Sequence, residues 1–359
     1  LTALSTALFS AGTVVYVPEG VVAEDVKIRT RINSQSLFNY TLVVAEESAS
    51  VTILERQSTG EDAKPVDEGR YNSGVVEVID GTLQFDGPVA NAADTGMITG
   101  RDATLRFFGG LANSGALALS AGVSDIFGDV DNTGTIVQSG GGIVTFYDDL
   151  ANNGIVHVSS GSSAVFFGNV SGAGAFPGSG TCYFEGDMRP GNSPGNVQFG
   201  GNVAFGPHAK LEIELAGGSQ DKLTVAGAAE VGGVLELVLL DGLVPEYGDV
   251  FNIIAAGDRS GMFSAVEGVS VNPGLSLAVT YDGQNVTVTA ALPGDANLDG
   301  KVDGLDLTAM AAQWDQAGVG WAGGDLNGDG TVNGLDLTAM AGNWGQGTGA
   351  GEIPEPATL

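Results

Sequence analysis

Between about residues 85 and 185 the chain repeats itself with a period close to twenty residues, which demands an architecture where each repeat buries its apolar face against the next. An aromatic residue is followed three positions on by Leu or Val, five on by Asn and seven on by Gly. The copies are Phe108-Leu111-Asn113-Gly115, Phe127-Val130-Asn132-Gly134 and Tyr147-Leu150-Asn152-Gly154, then Phe167-Val170-Gly172-Gly174 with glycine replacing the asparagine. Steps of 19, 20 and 20 residues separate the closing glycines. A looser copy precedes them at Phe85-Val89-Asn91-Gly96, and another begins at Phe184 and dissolves into a turn-rich stretch.

Short alternating runs such as Ala116-Leu117-Ala118-Leu119 and Ile155-Val156-His157-Val158 lie between these landmarks, punctuated by Ser, Gly and Asn, and read as strands joined by turns. Leucine-rich repeats share the period, but their Leu-x-x-Leu-x-Leu pattern is absent. The repeat therefore predicts a mainly β chain, a right-handed parallel β-helix in which each residue stacks on its counterpart one coil away, about 4.8 Å along the axis. On this reading the aromatic and aliphatic positions form interior columns. Asn and Gly fall at corners, where a left-handed backbone is needed. Strand candidates continue through 201–292, for example Leu211-Glu212-Ile213-Glu214-Leu215 and Val234-Leu235-Glu236-Leu237-Val238.

Charge narrows the partners. With 43 acidic and 13 basic residues the chain carries a formal charge of −30, which repels phosphate backbones and invites divalent cations. No apolar run approaches the roughly 18 residues of a membrane span. One cysteine, Cys182, and two histidines, His157 and His208, are too few for a disulfide framework, a Cys-rich zinc site or a cluster of catalytic imidazoles.

A duplicated acidic loop carries the clearest chemistry. Asp295, Asn297, Asp299, Asp303 and Asp306 occupy positions 1, 3, 5, 9 and 12 of the first copy, and Asp325, Asn327, Asp329, Asn333 and Asp336 occupy them in the second. Glycine stands at position 6, and Lys301 or Thr331 offers its carbonyl at position 7. A hard cation with six to eight oxygen ligands needs this pattern, so two Ca²⁺ ions are expected. After each loop, Leu307, Met310, Ala311 and Trp314, and then Leu337, Met340, Ala341 and Trp344, fall at helical spacing, predicting two helices packed on each other through one apolar face each.

Loop, helix, linker, loop and helix, with Asp at position 12, resemble a type I dockerin module over about residues 294–345. That resemblance implies a cohesin partner. The positions where the family reads its partner are Gly304-Leu305 and Gly334-Leu335, without the usual hydroxyls. Residues 191–225 resemble the later coils of autotransporter-like passenger β-helices, implying a surface role. Residues 12–80 resemble the β-helical scaffold proteins of the SUF iron–sulfur assembly system, although no Cys or His lies there to ligate a cluster. The closing Pro-Glu-Pro-Ala-Thr-Leu string resembles the start of a PEP-CTERM sorting signal.

The domain plan is an N-terminal cap and first coils at 1–80, regular coils at 81–200, further coils at 201–292, the calcium module at 293–346 and a tail at 347–359. Asp148-Asp149, with Asp125, Asp129 and Asp131 one coil earlier, is the best material for a β-helical polysaccharide lyase or hydrolase. Yet no Lys or Arg lies between Arg106 and Arg189 to assist it. The expectation is a non-enzymatic, extracellular or cell-surface structural or adhesive protein. Its partners would be further copies of itself, built through the uncharged residues 1–17, or surface polysaccharide. The alternatives are the lyase or hydrolase, and a subunit docking to a cohesin scaffold.

Overall fold

The computed structural model describes strand backbone at 12–17, 22–31, 40–45, 49–58 and 70–72, and the whole of residues 74–191 and 194–347. The expected roles of residues 1–11 and of the sorting tail lie outside the described residues, as do the side chains of the 12–70 stretch. The chain divides into two compact units, one of residues 1–192 with 197–204 and 225–227, the other of 193–196, 205–224 and 228–359.

In the first unit each coil contributes a strand to three faces, and every pairing between coils is parallel. Thr104–Phe107, Val123–Ile126, Ile143–Phe146, Ser163–Phe166 and Thr181–Phe184 stack on one face. Leu111–Asn113, Val130–Asn132, Leu150–Asn152 and Val170–Gly172 form the second, and Ala116–Ser120, Thr135–Ser139 and Ile155–Val158 the third. Towards the N-terminus the parallel stacking continues through Gly81–Phe85 to Ala49–Ser58 and Val22–Arg31. The sequence period is thus the register: Leu111 pairs with Val130, Val130 with Leu150, and Leu150 with Val170. All four are buried, as expected of an interior column.

The aromatic landmarks lie elsewhere. Phe108, Phe127, Tyr147 and Phe167 do pile up, with ring centroids 4.7, 4.5 and 5.6 Å apart, but the column stands on the outer wall, with Phe108 44% and Phe167 51% exposed. Strand alternation explains it. Thr104–Phe107 turns Leu105 and Phe107 inward, so the next residue, Phe108, points out. The interior aromatic stack is its neighbour, in which Phe146, Phe166 and Phe184 succeed one another at 5.0 Å.

The asparagines and closing glycines also differ from expectation, because none of them has a positive φ, whereas Gly172, which stands in the asparagine's place, has the expected one at 102°. Asn91, Asn113, Asn132 and Asn152 are buried. The Nδ2 of Asn91, Asn113 and Asn132 each donates to the Oδ1 of the asparagine one coil on, at 2.8 Å. The run ends at Asn152, whose buried Nδ2 faces Gly172 rather than an asparagine and has no partner among the described residues. A second bond from Asn113 Nδ2 to the Thr135 carbonyl, and from Asn132 Nδ2 to the Ile155 carbonyl, makes the amides cross-braces between faces. Glycine follows for lack of space: a Cβ on Gly134 would lie 2.2 Å from the Gly115 carbonyl oxygen, and one on Gly154 2.2 Å from that of Gly134.

The second unit keeps parallel pairing only in part. Lys210–Ala216 pairs with Val234–Leu239, and that strand with Ala265–Glu267. Val250–Gly261, Asn285–Ala291 and Leu275–Tyr281 are antiparallel instead, so part of the expected run of coils over 201–292 is a meander. Its inner residues Val269, Ala278 and Ala291 share one apolar cluster with Val302, Met310, Trp321, Leu326, Val332 and Met340 of the C-terminal module. Among the described residues no helix is long and apolar enough to cross a membrane.

Candidate metal centre

Residues 292–294 alone join the strand Asn285–Ala291 to the first acidic loop, which leads into helix α1 (Gly304–Ala312); the second loop leads into α2 (Gly334–Gly342). The halves interlock reciprocally. Val302 of the first loop bonds with Gly345 and Gln346 beyond α2, and Val332 of the second with Asp315 and Gln316 beyond α1. Both valines are fully buried, so each loop is braced by the chain that follows the other helix.

Within each loop the carboxylates are set by backbone N–H groups. Asp306 Oδ1 accepts from the Asn297 amide at 3.1 Å and its Oδ2 from that of Asp303 at 2.9 Å. Asp336 accepts from the Leu326, Asn327 and Asn333 amides at 2.8, 3.0 and 2.8 Å. The position-1 carboxylates span the glycine turn: Asp295 Oδ2 accepts from Gly300 at 2.9 Å, and Asp325 Oδ2 from Gly330 at 3.1 Å. Asn297 and Asn327 each accept from the Asp two residues on, and those aspartates, Asp299 and Asp329, accept in turn from the Lys301 and Thr331 amides. Asp303 and Asn333 are N-caps, accepting from Leu305 and Leu335 at 2.8 Å. With Asp306 and Asp336 they complete capping boxes, so the loops and helix starts are one construction.

Asp295, Asp306, Asp325 and Asp336 are all buried. Burial holds the Asp295 and Asp325 carboxyls above the usual carboxylate range, and for Asp325 the charge of Asp336 adds to it. Among the described residues no Lys or Arg is paired with them. The oxygens of Asp325, Asp329 and Asp336 lie within 4.8 Å of one another. Oxygens ligating one Ca²⁺ at about 2.3–2.6 Å stand up to roughly 5 Å apart, so this donor set fits the ion in size and in hardness.

The helices depart from expectation. Only Asp306 and Met310 of α1, and Asp336 and Met340 of α2, are buried. Leu307, Trp314, Leu337 and Trp344 are exposed, as are Leu305 and Leu335, at 64% and 63%. The helices do not bury one broad apolar face each, because each is only nine residues long and its methionine packs over a glycine next to the other half's loop. A Cβ on Gly324 would meet Met310, and one on Gly294 would meet Met340. Two further residues support the first loop without belonging to the loop pattern: Trp321, whose indole N–H donates to the Asp295 carbonyl at 2.8 Å, and Tyr247, whose hydroxyl lies 3.5 Å from Asp295 Oδ2. Trp321 is the one tryptophan outside the repeated motif, and that was the available signal.

Of the acidic residues weighed for catalysis, Asp129, Asp148 and Asp149 sit in coil corners, whereas Asp125 and Asp131 lie in strands, Asp125 with its Oδ2 3.4 Å from Arg106 Nε one coil earlier. Asp129 Oδ1 accepts from the Asp149 amide at 3.3 Å, and Asp149 Oδ1 from the Asn169 amide at 2.9 Å, a ladder that ties successive turns together. His157 is half-buried on the outer wall opposite Val137, as its parity predicts. Cys182 is buried, which pushes its thiol up to about 12.

Residues 293–343 match the family model of the dockerin type I domain. No curated protein matches the chain.

Proposed function

We propose that this is an extracellular, non-enzymatic β-helix protein whose C-terminal dockerin module holds two calcium ions and docks the chain to a cohesin-type partner. In each loop Asp295, Asn297, Asp299, the Lys301 carbonyl, Asp303 and Asp306, or Asp325, Asn327, Asp329, the Thr331 carbonyl, Asn333 and Asp336, would hold one ion. The ion supplies positive charge that offsets the buried carboxylates and so fixes the loop and the first turn of the helix after it.

The observation that carries the reading is the pair of equivalent, outward-facing helix starts. Leu305 with Leu307, and Leu335 with Leu337, stay exposed although each helix is capped and braced from within. Apolar side chains held out on a rigid, calcium-shaped surface suit a protein partner. Capture of this chain by an immobilised cohesin in millimolar calcium, lost in chelator and lost on changing both Leu305 and Leu335 to Asp, is the expected result. Capture that ignores chelator, or survives the double change, would discard the docking role.

The corner ladder of Asp129 and Asp149 supports a structural use for the acids of the coils. Turnover of an acidic polysaccharide by the purified chain, abolished by Asp149→Asn, is the outcome that would make it an enzyme instead.

A further inference from the structure

The two loops are near copies, yet they differ at position 4, which is Leu298 in the first and Gly328 in the second. Both residues have a positive φ, 59° and 77°. Leucine is therefore tolerated in this conformation, and backbone strain does not explain the glycine. The neighbouring strand does. Gly328 lies against Ala265–Glu267 of the β-sheet: the Val266 amide donates to the Gly328 carbonyl at 2.7 Å, and a Cβ on Gly328 would stand 2.4 Å from the Val266 carbonyl oxygen. Gly330 is as tight, since its Cβ would lie 2.1 Å from the Ser264 carbonyl oxygen. Val269 Cγ2 covers Gly328 from the sheet side. Leu298 packs instead at the margin of the apolar cluster. A cavity of about 20 Å³ is lined jointly by Asp325 and Gly328 of the loop and by Val266, Val269 and Tyr281 of the sheet.

We propose that the second calcium site is shared between the module and the sheet: the strand around Val266 holds the loop that holds the ion, so cation binding there and seating of the module on the sheet are one event. The first loop meets the β-unit through a side chain instead, the Tyr247 hydroxyl 3.5 Å from Asp295 Oδ2. This rests on the calcium reading above and goes beyond it, because it makes the module a calcium-operated clamp on its own β-unit as well as a plug for a partner. The connection of residues 292–294 is too short to let the module swing freely, which agrees with a clamp.

The test is calcium titration calorimetry and amide exchange on the full chain. In the wild type, calcium should bind in two unequal events and raise protection across residues 264–269. Gly328→Leu leaves every oxygen-bearing position intact and installs the residue the first loop already carries. It should weaken one event by about tenfold, the scale of one buried hydrogen bond with its apolar cover, and erase the calcium effect at 264–269. Leu298→Gly should do neither. Should Gly328→Leu not fold, Val269→Ala tests the same contact from the sheet side, with the same event weakened. Two binding events untouched by these changes, with exchange at 264–269 indifferent to calcium, would overturn the clamp and leave the calcium reading standing. A wild type that binds no calcium at all would fail that reading, and the clamp with it.

Discussion

The coils of the first unit and the paired loops of the C-terminal module are both built by repetition, but repetition acts oppositely in them. In the coils, like meets like: Asn113 bonds Asn132, Phe146 stacks on Phe166, and Gly134 makes room for Gly115. Each copy is completed by the next, so the unit needs only more of itself. In the module, like is crowded against like without completing it. Val302 is braced by the chain after α2 and Val332 by the chain after α1, while backbone amides hold carboxylates that repel one another gathered together, within 4.8 Å in the second loop. Stacked neutral groups stabilise an open-ended array. Gathered anions stabilise nothing until a cation arrives.

Three changes break or sharpen that contrast, in falling order of effect. Asp336→Ala should be worst, because it strands three backbone amides in the interior and removes a carboxylate from the ion's donor set. A loss of about 4 kcal/mol is expected, read as disappearance of the helical circular-dichroism signal together with calcium-induced heat. Gly134→Ala attacks the coils at their closest approach, and a methyl 2.2 Å from a carbonyl oxygen should cost about 3 kcal/mol in urea unfolding, with calcium binding unchanged. Tyr147→Ala on the outer aromatic column should cost only about 1 kcal/mol, since those rings gain from stacking but keep one edge in water. Had that column been the core, the same change would cost several times more, so its size separates the two placements.

How far the sequence could be read follows the same division. The period set the coil register to the residue, because stacking makes every copy answer to its neighbour. It could not tell the inside of a coil from the outside where two large apolar residues are adjacent, as in Phe107-Phe108 and Phe146-Tyr147. Counting from Leu111, which is buried, would have placed Asn113 inside, two residues along the same strand. The oxygen positions of the loops were visible because a cation dictates residue type. The exposure of Leu307 and Trp314 was not, because helical spacing reports a face and says nothing about whether anything covers it. Nothing in the loop pattern marks Gly328, because what requires glycine there is the Val266 carbonyl oxygen, a neighbour about sixty residues away in sequence.

The most direct test of the contrast is differential scanning calorimetry of the whole chain in calcium and in chelator. The account predicts a transition from the coils that keeps its temperature in both, and a transition from the calcium module and its sheet that falls by many degrees when the ion is withdrawn. A thermogram that chelation leaves unchanged throughout would contradict it.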